Sequence, residues 1–195
     1  MAKENARKIA QFFHEAGQLK RVKRSGWWLA GVQEPESVAE HSFRAAIVGY
    51  ALAKQEGANA ERVMKMLLFH DLPETRIGDM HKVTARYVDV EKAERRVLEE
   101  QGETVSAFDA ALGKEYLALM REFLAQESKE AVVAKDADFL ECALQAREYL
   151  DSGAKDAEDW LERIGKRLKT KSAGEIFAHV RKNPSHAWWK NLKKL

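Results

Sequence analysis

The chain has 195 residues, of which 45% are hydrophobic and 33% charged, and this composition is typical of one soluble globular domain with a sizeable core. No apolar run approaches the roughly 20 residues that span a bilayer, and the N-terminus lacks a signal-peptide pattern, so we expect neither a membrane span nor a leader. The net charge is +2, and the single cysteine, Cys142, excludes an internal disulfide and a cysteine-based metal cage. It favours a reducing, cytoplasmic setting.

Helical periodicity begins at the N-terminus, where an amphipathic pattern predicts a helix over residues 2–17. The next helix starts at a capping box, Ser37-x-x-Glu40, and is predicted to end at Gly57. Asn59 is a good N-cap for a third helix over 59–71. The stretch between the first two helices, 18–36, is predicted to be a loop long enough to carry function.

A second such loop is predicted over 72–86, and helices then fill the rest of the chain. Three long ones are expected over 90–102, where Gly102 closes the helix, 109–128 and 129–153. Shorter helices are expected over 156–170, 173–182 and 185–192. The prediction is an all-α fold forming one domain over 1–195, with its core at about 8–150 and a C-terminal helical extension at about 155–195.

Four ionisable side chains fall on the apolar faces of these helices. His41 lies on a stripe with the apolar residues at 38, 45, 48 and 52, and His70 ends a stripe with those at 63, 66 and 67. Asp71 follows His70 at the helix end. Asp138 shares a face with small residues at 131, 134 and 142, which leaves room beside its carboxylate.

Imidazole nitrogen and carboxylate oxygen are suitable ligands for a divalent transition metal. Two histidines and two aspartates can hold one ion and leave positions open for water and substrate, as catalytic sites do. Taken singly, each residue also has a structural interpretation, because an inward histidine is often a hydrogen-bonded core residue and an aspartate at a helix end is often a cap. The set of four favours a metal site.

This set resembles the HD-domain superfamily of metal-dependent phosphohydrolases, whose H…HD…D pattern corresponds here to His41, His70–Asp71 and Asp138. The segments "QLKRVKRSGWW", "PESVAEHS", "HDLPETRIGD" and "KDADFLECALQAREY" resemble one branch, the 5′-deoxynucleotidases, over roughly residues 8–150. The resemblance implies a helical HD domain, often a homodimer, with those four residues as the ligands of a divalent metal such as Mn²⁺, Co²⁺, Mg²⁺ or Zn²⁺. The implied reaction is hydrolysis of deoxynucleoside 5′-monophosphates to nucleoside and phosphate.

Two further acids match acidic positions of the family. We interpret Glu74 as the group that positions or deprotonates the attacking water, and Asp79 as a substrate contact near the leaving oxygen or a general acid. In some relatives these acids help to hold a second cation, so one or two ions remain open. The structural alternative makes Glu74 a helix-capping acid and Asp79 a turn residue.

The phosphate dianion needs counter-charge, and the first loop is basic. We favour Arg24 as the phosphate ligand, since its planar guanidinium group suits phosphate oxygens. Some relatives place the arginine directly before the tryptophan, whereas two residues separate Arg24 from Trp27 here, so Arg21 is its rival. Trp27 is expected near the sugar or base. Lys82, after Asp79, is a further candidate contact to phosphate or ribose. The structural alternative is a basic surface loop anchored by Trp27.

From Glu162 onward the chain carries ten Lys or Arg against two acidic residues, which indicates either a solvated helix face or a nucleic-acid-binding patch. Two alternatives to the nucleotidase therefore stay open. One is another reaction on the same fold, on a nucleoside triphosphate or a cyclic phosphodiester. The other is a non-catalytic nucleic-acid-binding protein with a structural metal.

Overall fold

The computed structural model describes residues 3–190 and 192–193, and within them the chain is helical, with one isolated bridge between Lys23 and Ser37 and no strand. The longer helices are α1 (Lys3–Ala16), α3 (Val38–Glu56), α4 (Ala60–Phe69), α6 (Val90–Ser106), α7 (Ala110–Ala125), α8 (Lys129–Asp151) and α10 (Lys171–Lys182), and the shorter ones are α2 (Gly26–Leu29), α5 (Glu74–Ile77) and α9 (Glu158–Ile164). The predicted all-α class is confirmed. Residue 2 of the helix predicted over 2–17 and residue 191 of the helix predicted over 185–192 lie outside the described residues.

The capping signals act as predicted around α3 and α4. The Ser37 side chain accepts a hydrogen bond from the Glu40 N–H, and the Glu40 carboxylate accepts one from the Ser37 N–H. Gly57 ends α3 in the left-handed region at φ 65°, where glycine carries no steric penalty. The Asn59 side chain accepts from the N–H of Arg62 at 3.1 Å. Both helices that carry the predicted histidines therefore begin at residues fixed by local chemistry.

Gly102 does not close its helix, contrary to the prediction, because α6 continues to Ser106. A Cβ at position 102 would lie 2.6 Å from Cδ2 of Leu117 on α7. Glycine stands there because the two helices approach closely, so a tertiary contact overrides the usual stop signal.

The shorter elements also differ from the sequence-based bounds. The helix predicted over 156–170 is a 3₁₀ turn, Lys155–Ala157, followed by α9, and α10 begins two residues earlier than predicted. Within the helix predicted over 185–192, residues Ser185–Trp189 form a 3₁₀ turn rather than an α-helix. The two predicted loops contain the short helices α2 and α5, and 3₁₀ turns at Gly17–Lys20 and Thr84–Arg86.

Helix α3 lies between α4 and α8, and one glycine makes this close approach possible. A Cβ at Gly49 would lie 2.1 Å from Leu67 Cδ1 on α4 and 3.4 Å from the Ala137 Cβ on α8. A side chain there would displace Leu67 and crowd the contact between the helices. The three helices that carry the predicted metal ligands are thus held close together by the residue type at position 49.

Two buried apolar clusters support this arrangement. The larger one packs α3, α4, α7 and α8 around side chains such as Leu52, Met66 and Leu119. The second lies where α9 and α10 meet the later part of α8, and it includes Trp27 and Leu161. None of the described helices combines the length and the apolarity needed to cross a bilayer.

Candidate metal centre

The four predicted ligands come together where α3, α4 and α8 meet. Fully buried His41 lies on α3, His70 and Asp71 follow the last residue of α4, and Asp138 lies on α8. The His41 Nε2 lies 3.3 Å from the His70 Nε2. It lies 3.6 Å from Asp71 Oδ2 and 3.3 Å from Asp138 Oδ1. The His70 Nε2 lies 3.1 Å and 3.8 Å from the same two oxygens.

These distances suit donors that share one ion, since ligands at about 2.1 Å from a metal lie about 3 to 4 Å from one another. The donor set is two imidazole nitrogens and two carboxylate oxygens, which suits a divalent transition metal. The second nitrogen of the His70 ring, Nδ1, lies 2.9 Å from the Leu67 carbonyl oxygen. A proton on that Nδ1 leaves the Nε2 lone pair directed at the site.

The carboxylates of the site are ionised. Burial alone would raise the pKa of Asp71, but the contact with His70 and the charges of Arg24 and His41 hold it well below its usual range. Burial acts in the same direction on Asp138, where the ammonium group of Lys135 is the largest opposing influence and keeps its pKa very low. Both carboxylates are therefore available to a cation at neutral pH.

His41 is protonated in the absence of a metal. Burial and the charge of Arg24 would lower its pKa, but hydrogen bonds to Asp138 and Glu141 outweigh them and raise it to about 9. A metal that binds the Nε2 must displace that proton, so metal affinity is expected to rise with pH.

Glu141 is the main residue that sequence reasoning missed. Its carboxylate is fully buried and hydrogen-bonded to the His41 Nδ1. The Arg44 Nε donates to Glu141 Oε1 at 2.8 Å. Its Nη1 donates to Glu148 and its Nη2 to Gln145, at 2.7 Å each. This carboxylate–histidine contact orients the ring and directs its Nε2 into the site, as outer-shell carboxylates do in metalloproteins.

A second acid, Glu36, lies on the same side of the His41 ring. Atoms of Glu36, His41 and Glu141 lie within 4.8 Å of one another. Burial and the charge of Glu141 raise the pKa of Glu36 to about 7. Since Glu36 accepts from the Trp27 Nε1 and Glu141 from Arg44, these acids form a hydrogen-bonded support behind the ring.

Arg24 borders the four ligands, whereas its rival Arg21 does not. The Arg24 Nη1 lies 3.3 Å from Asp71 Oδ2 and 3.5 Å from Asp79 Oδ2. Asp79 is itself held by Ser25, whose N–H and hydroxyl donate to its Oδ1 at 2.9 and 2.6 Å. Arg21 is exposed and donates to a glutamine on its own turn. The loop before α2 thus brings one arginine to the site.

Glu74 is the first residue of α5 and lies beside the ligands. Its Oε2 is buried and has no hydrogen-bond partner in the described part of the chain. Burial, with the negative charges of Asp71 and Asp79, raises its pKa well above the usual range. A cavity of about 30 Å³, with Glu74 and Glu94 in its wall, lies next to His70 and Asp71. Such a volume holds a water molecule or a small ion.

Glu94 lies on α6, whose exposed side carries ion pairs, for example Arg96 with Glu100 at 3.0 Å. Glu94 differs, because burial raises its pKa and it reaches the cavity.

The two other predicted substrate contacts, Trp27 and Lys82, lie in different surroundings. Trp27 has 2% of its surface exposed and packs between the rings of Tyr149 and Trp160, at 5.1 and 5.3 Å between centroids. No ring face is left for a base, so the expectation that it packs against substrate is corrected to an anchoring role. Lys82 is exposed, and no hydrogen bond or ion pair joins it to the described site residues. Its charge acts on Glu94 in the wall of the cavity, and the contact of Lys82 with phosphate or ribose stays a prediction.

Comparison with known proteins agrees with this geometry. A family model described as an HD domain matches residues 16–180. The 5′-deoxynucleotidase HDDC2 of Bos taurus is 38% identical over 151 residues, which span 77% of this chain and 72% of that protein.

Two solved structures are also similar. The PH0347 protein from Pyrococcus horikoshii OT3 has a TM-score of 0.74 at 32% identity, covering 88% of this chain and 97% of the other. A predicted metal-dependent phosphohydrolase from Magnetospirillum magnetotacticum MS-1 has a TM-score of 0.68 at 25% identity, covering 91% and 94%. With its four converging donors, the matched HD-domain model and these relatives, the chain belongs to the HD-domain family, in the branch that includes the 5′-deoxynucleotidases.

Proposed function

We propose that this protein is a metal-dependent 5′-deoxynucleotidase that hydrolyses deoxynucleoside 5′-monophosphates to nucleoside and phosphate. The observation that carries the proposal is the convergence of two imidazole nitrogens and two carboxylate oxygens beside Arg24. The names of the relatives support the substrate class.

His41, His70, Asp71 and Asp138 are the residues that hold the divalent ion, because each of the two Nε2 atoms lies within 3.8 Å of the other and of one carboxylate oxygen of both aspartates. Mn²⁺, Co²⁺, Mg²⁺ and Zn²⁺ are the candidate ions. When bound, the ion polarises a phosphoryl oxygen and lowers the pKa of water.

Arg24 binds the phosphate, since its planar guanidinium group suits two phosphate oxygens and it borders the ligand carboxylates. Asp79 fixes that guanidinium group and contacts the substrate near O5′. Glu74 accepts one proton of the attacking water as the water oxygen bonds to phosphorus and the P–O5′ bond breaks. The departing O5′ takes a proton from solvent water, and Glu74 returns its proton to solvent, so that the base is regenerated. A cation bound by Asp71 would neutralise its negative charge. Since that charge raises the pKa of Glu74, the pKa would then fall towards the range of a working base.

The test is phosphate release from dAMP, dGMP, dCMP, TMP and dUMP against their ribose counterparts. Chelator-stripped protein is expected to be inactive and to regain activity with one of the four ions, with deoxyribose substrates hydrolysed faster. Release from nucleoside triphosphates alone, or cleavage of cyclic phosphodiesters alone, would contradict the proposal and indicate a different reaction of the same fold.

We further propose that the protein is a homodimer in which α3 pairs with α3 of a second copy. Five residues on its outer side follow three- and four-residue steps and form one stripe, namely Glu40, Phe43, Ile47, Tyr50 and Lys54. The three central side chains are 67%, 55% and 42% exposed, although they are large and apolar. Since the opposite side of α3 is buried, this helix carries large apolar side chains on both its inner and its outer side, which is typical of a helix buried in an assembly.

The charges of the stripe are self-complementary. An antiparallel pairing about a two-fold axis at Ile47 sets Glu40 of each copy opposite Lys54 of the other, seven residues on either side of the axis. Ile47→Glu places two like charges at that axis and is expected to yield a monomer by light scattering. Tyr87→Glu, at a residue that is 78% exposed elsewhere, is the matched control and should remain dimeric. A monomeric wild type, or a dimeric Ile47→Glu variant, would refute the pairing.

We also propose that the whole chain forms one domain, because the two buried clusters share contacts with Val48 and Leu168. The single cysteine supports a cytoplasmic location, which we propose as well.

A further inference from the structure

Lys135 lies beside the ligand carboxylates, on the first part of α8. Its Nζ donates to Asp138 Oδ2 at 2.7 Å, the oxygen that does not face the histidines. The ammonium group also lies over the rings of Phe123 and Phe139, at 5.2 and 5.1 Å from their centroids. Ring faces hold a cation without using its N–H groups. One of the three Nζ donors therefore serves Asp138, and no described side chain takes another.

The charge of a phosphate monoester explains why such a lysine is useful. A divalent ion is neutralised by the two ligand aspartates, so it leaves the dianion of the substrate without net compensation. Apart from the two imidazoles, Arg24 and Lys135 are the cations within 4.0 Å of Asp71, Asp79 or Asp138 in the described part of the chain. Arg24 is already shared between two carboxylates, so it does not balance a dianion alone.

We propose that Lys135 is a second phosphate-binding residue, which holds the substrate phosphate together with Arg24; this inference rests on the proposed function. The two cations stand beside different ligand carboxylates, Arg24 at Asp71 and Lys135 at Asp138, so they approach a phosphate from two sides. The Lys135 side chain is 27% exposed, which leaves it accessible to a ligand from solvent. Phe123 also borders the cavity beside His70 and Asp71, so the ammonium lies close to that space.

The competing role is that Lys135 only positions Asp138, and two substitutions separate the roles. Lys135→Met removes both the charge and the hydrogen bond. Lys135→Gln removes the charge but keeps a donor for Asp138. A positioning lysine is replaced well by glutamine, whereas a phosphate-binding lysine is not, because the loss of the cation is what matters. Lys65→Met is the matched control, since Lys65 pairs with Glu115 at the same 2.7 Å distance on the surface.

The measurements are the Kd of inorganic phosphate for the metal-loaded protein, the Kd of the metal by chelator competition, and kcat/KM with a deoxynucleoside monophosphate. We expect both Lys135 variants to bind phosphate about 10- to 100-fold more weakly and to keep the metal affinity within about threefold. The control should match the wild type in all three. Unchanged phosphate binding, or a glutamine variant equal to the wild type, would overturn the proposal. If the wild type binds phosphate through Lys135 but does not hydrolyse monophosphates, the proposed function fails and the phosphate site stands.

Discussion

Asp71→Asn is expected to reduce metal-dependent phosphate release by at least about 1,000-fold, because a bound ion supplies several kcal/mol of transition-state stabilisation and Asp71 is one of its two anionic ligands. The Asp71 carboxylate lies 3.1 Å from His70 and 3.6 Å from His41, between the two imidazoles and Arg24. The amide keeps the shape of the side chain but removes the negative charge. Loss of activity together with loss of tightly bound metal would assign the ligand role directly.

The measurement is steady-state phosphate release at saturating metal, accompanied by the metal content of the purified protein. Asp156→Asn is the control, since Asp156 is exposed on the turn before α9 and makes no contact with the site. Retention of more than a tenth of the wild-type activity in Asp71→Asn would contradict the proposed ligand set. A parallel thermal unfolding measurement would show whether the variant is folded.

The convergence of the four ligand candidates could be predicted from the sequence because helical periodicity settles which way a side chain points. His41 and His70 each continue an apolar stripe, and Asp138 stands among small residues on α8. A side chain on the inner face of a long helix points into the core, where it meets the inner faces of the neighbouring helices. The resemblance to the HD-domain superfamily then joined these residues into one ligand set, because their order along the chain matches its H…HD…D pattern.

The residues that support these ligands could not be found in the same way. Glu141 and Lys135 lie three residues to either side of Asp138. This spacing places them near the same face of α8, and it was the one sequence signal that could have indicated them. A charged residue on a helix is usually solvated, and these two are drawn towards the site by partners on other elements, Arg44 on α3 and Phe123 on α7. Such long-range pairing leaves no local pattern.

The expectations for Trp27 and Gly102 differ from the structure for the same reason. The expectation that Trp27 faces substrate depended on the loop before α2, but Tyr149 and Trp160, more than a hundred residues later, enclose its ring. Gly102 is a stop signal by local propensity and a contact residue in the fold, because Leu117 occupies the space of its missing side chain. In both cases tertiary packing decided against the local rule.

The second large effect is expected at Glu74, where activity and stability should move in opposite directions. Glu74→Gln removes the proposed base and should lower kcat by about 100- to 10,000-fold. In metal-free protein the same change should stabilise the fold by about 1 kcal/mol at pH 8, because it removes a buried carboxyl group that lies near two negative charges. An amide needs no ionisation and can donate to the neighbouring carboxylates. Exposed Glu127→Gln is the control and should alter neither property.

The stability of the metal-free protein is expected to depend on pH through Glu74. Glu74 has a higher pKa in the folded than in the unfolded chain, so the folded state retains a proton that the unfolded state releases above the ordinary pKa of 4.5. Stability therefore falls as pH rises above that value, up to the pKa of the folded state. With chelator present, the wild type should lose melting temperature more steeply than Glu74→Gln as the pH rises above 4.5, and His41 should contribute equally to both. Parallel curves would show that Glu74 is not a strained buried acid, and a fully active variant would remove it from the reaction.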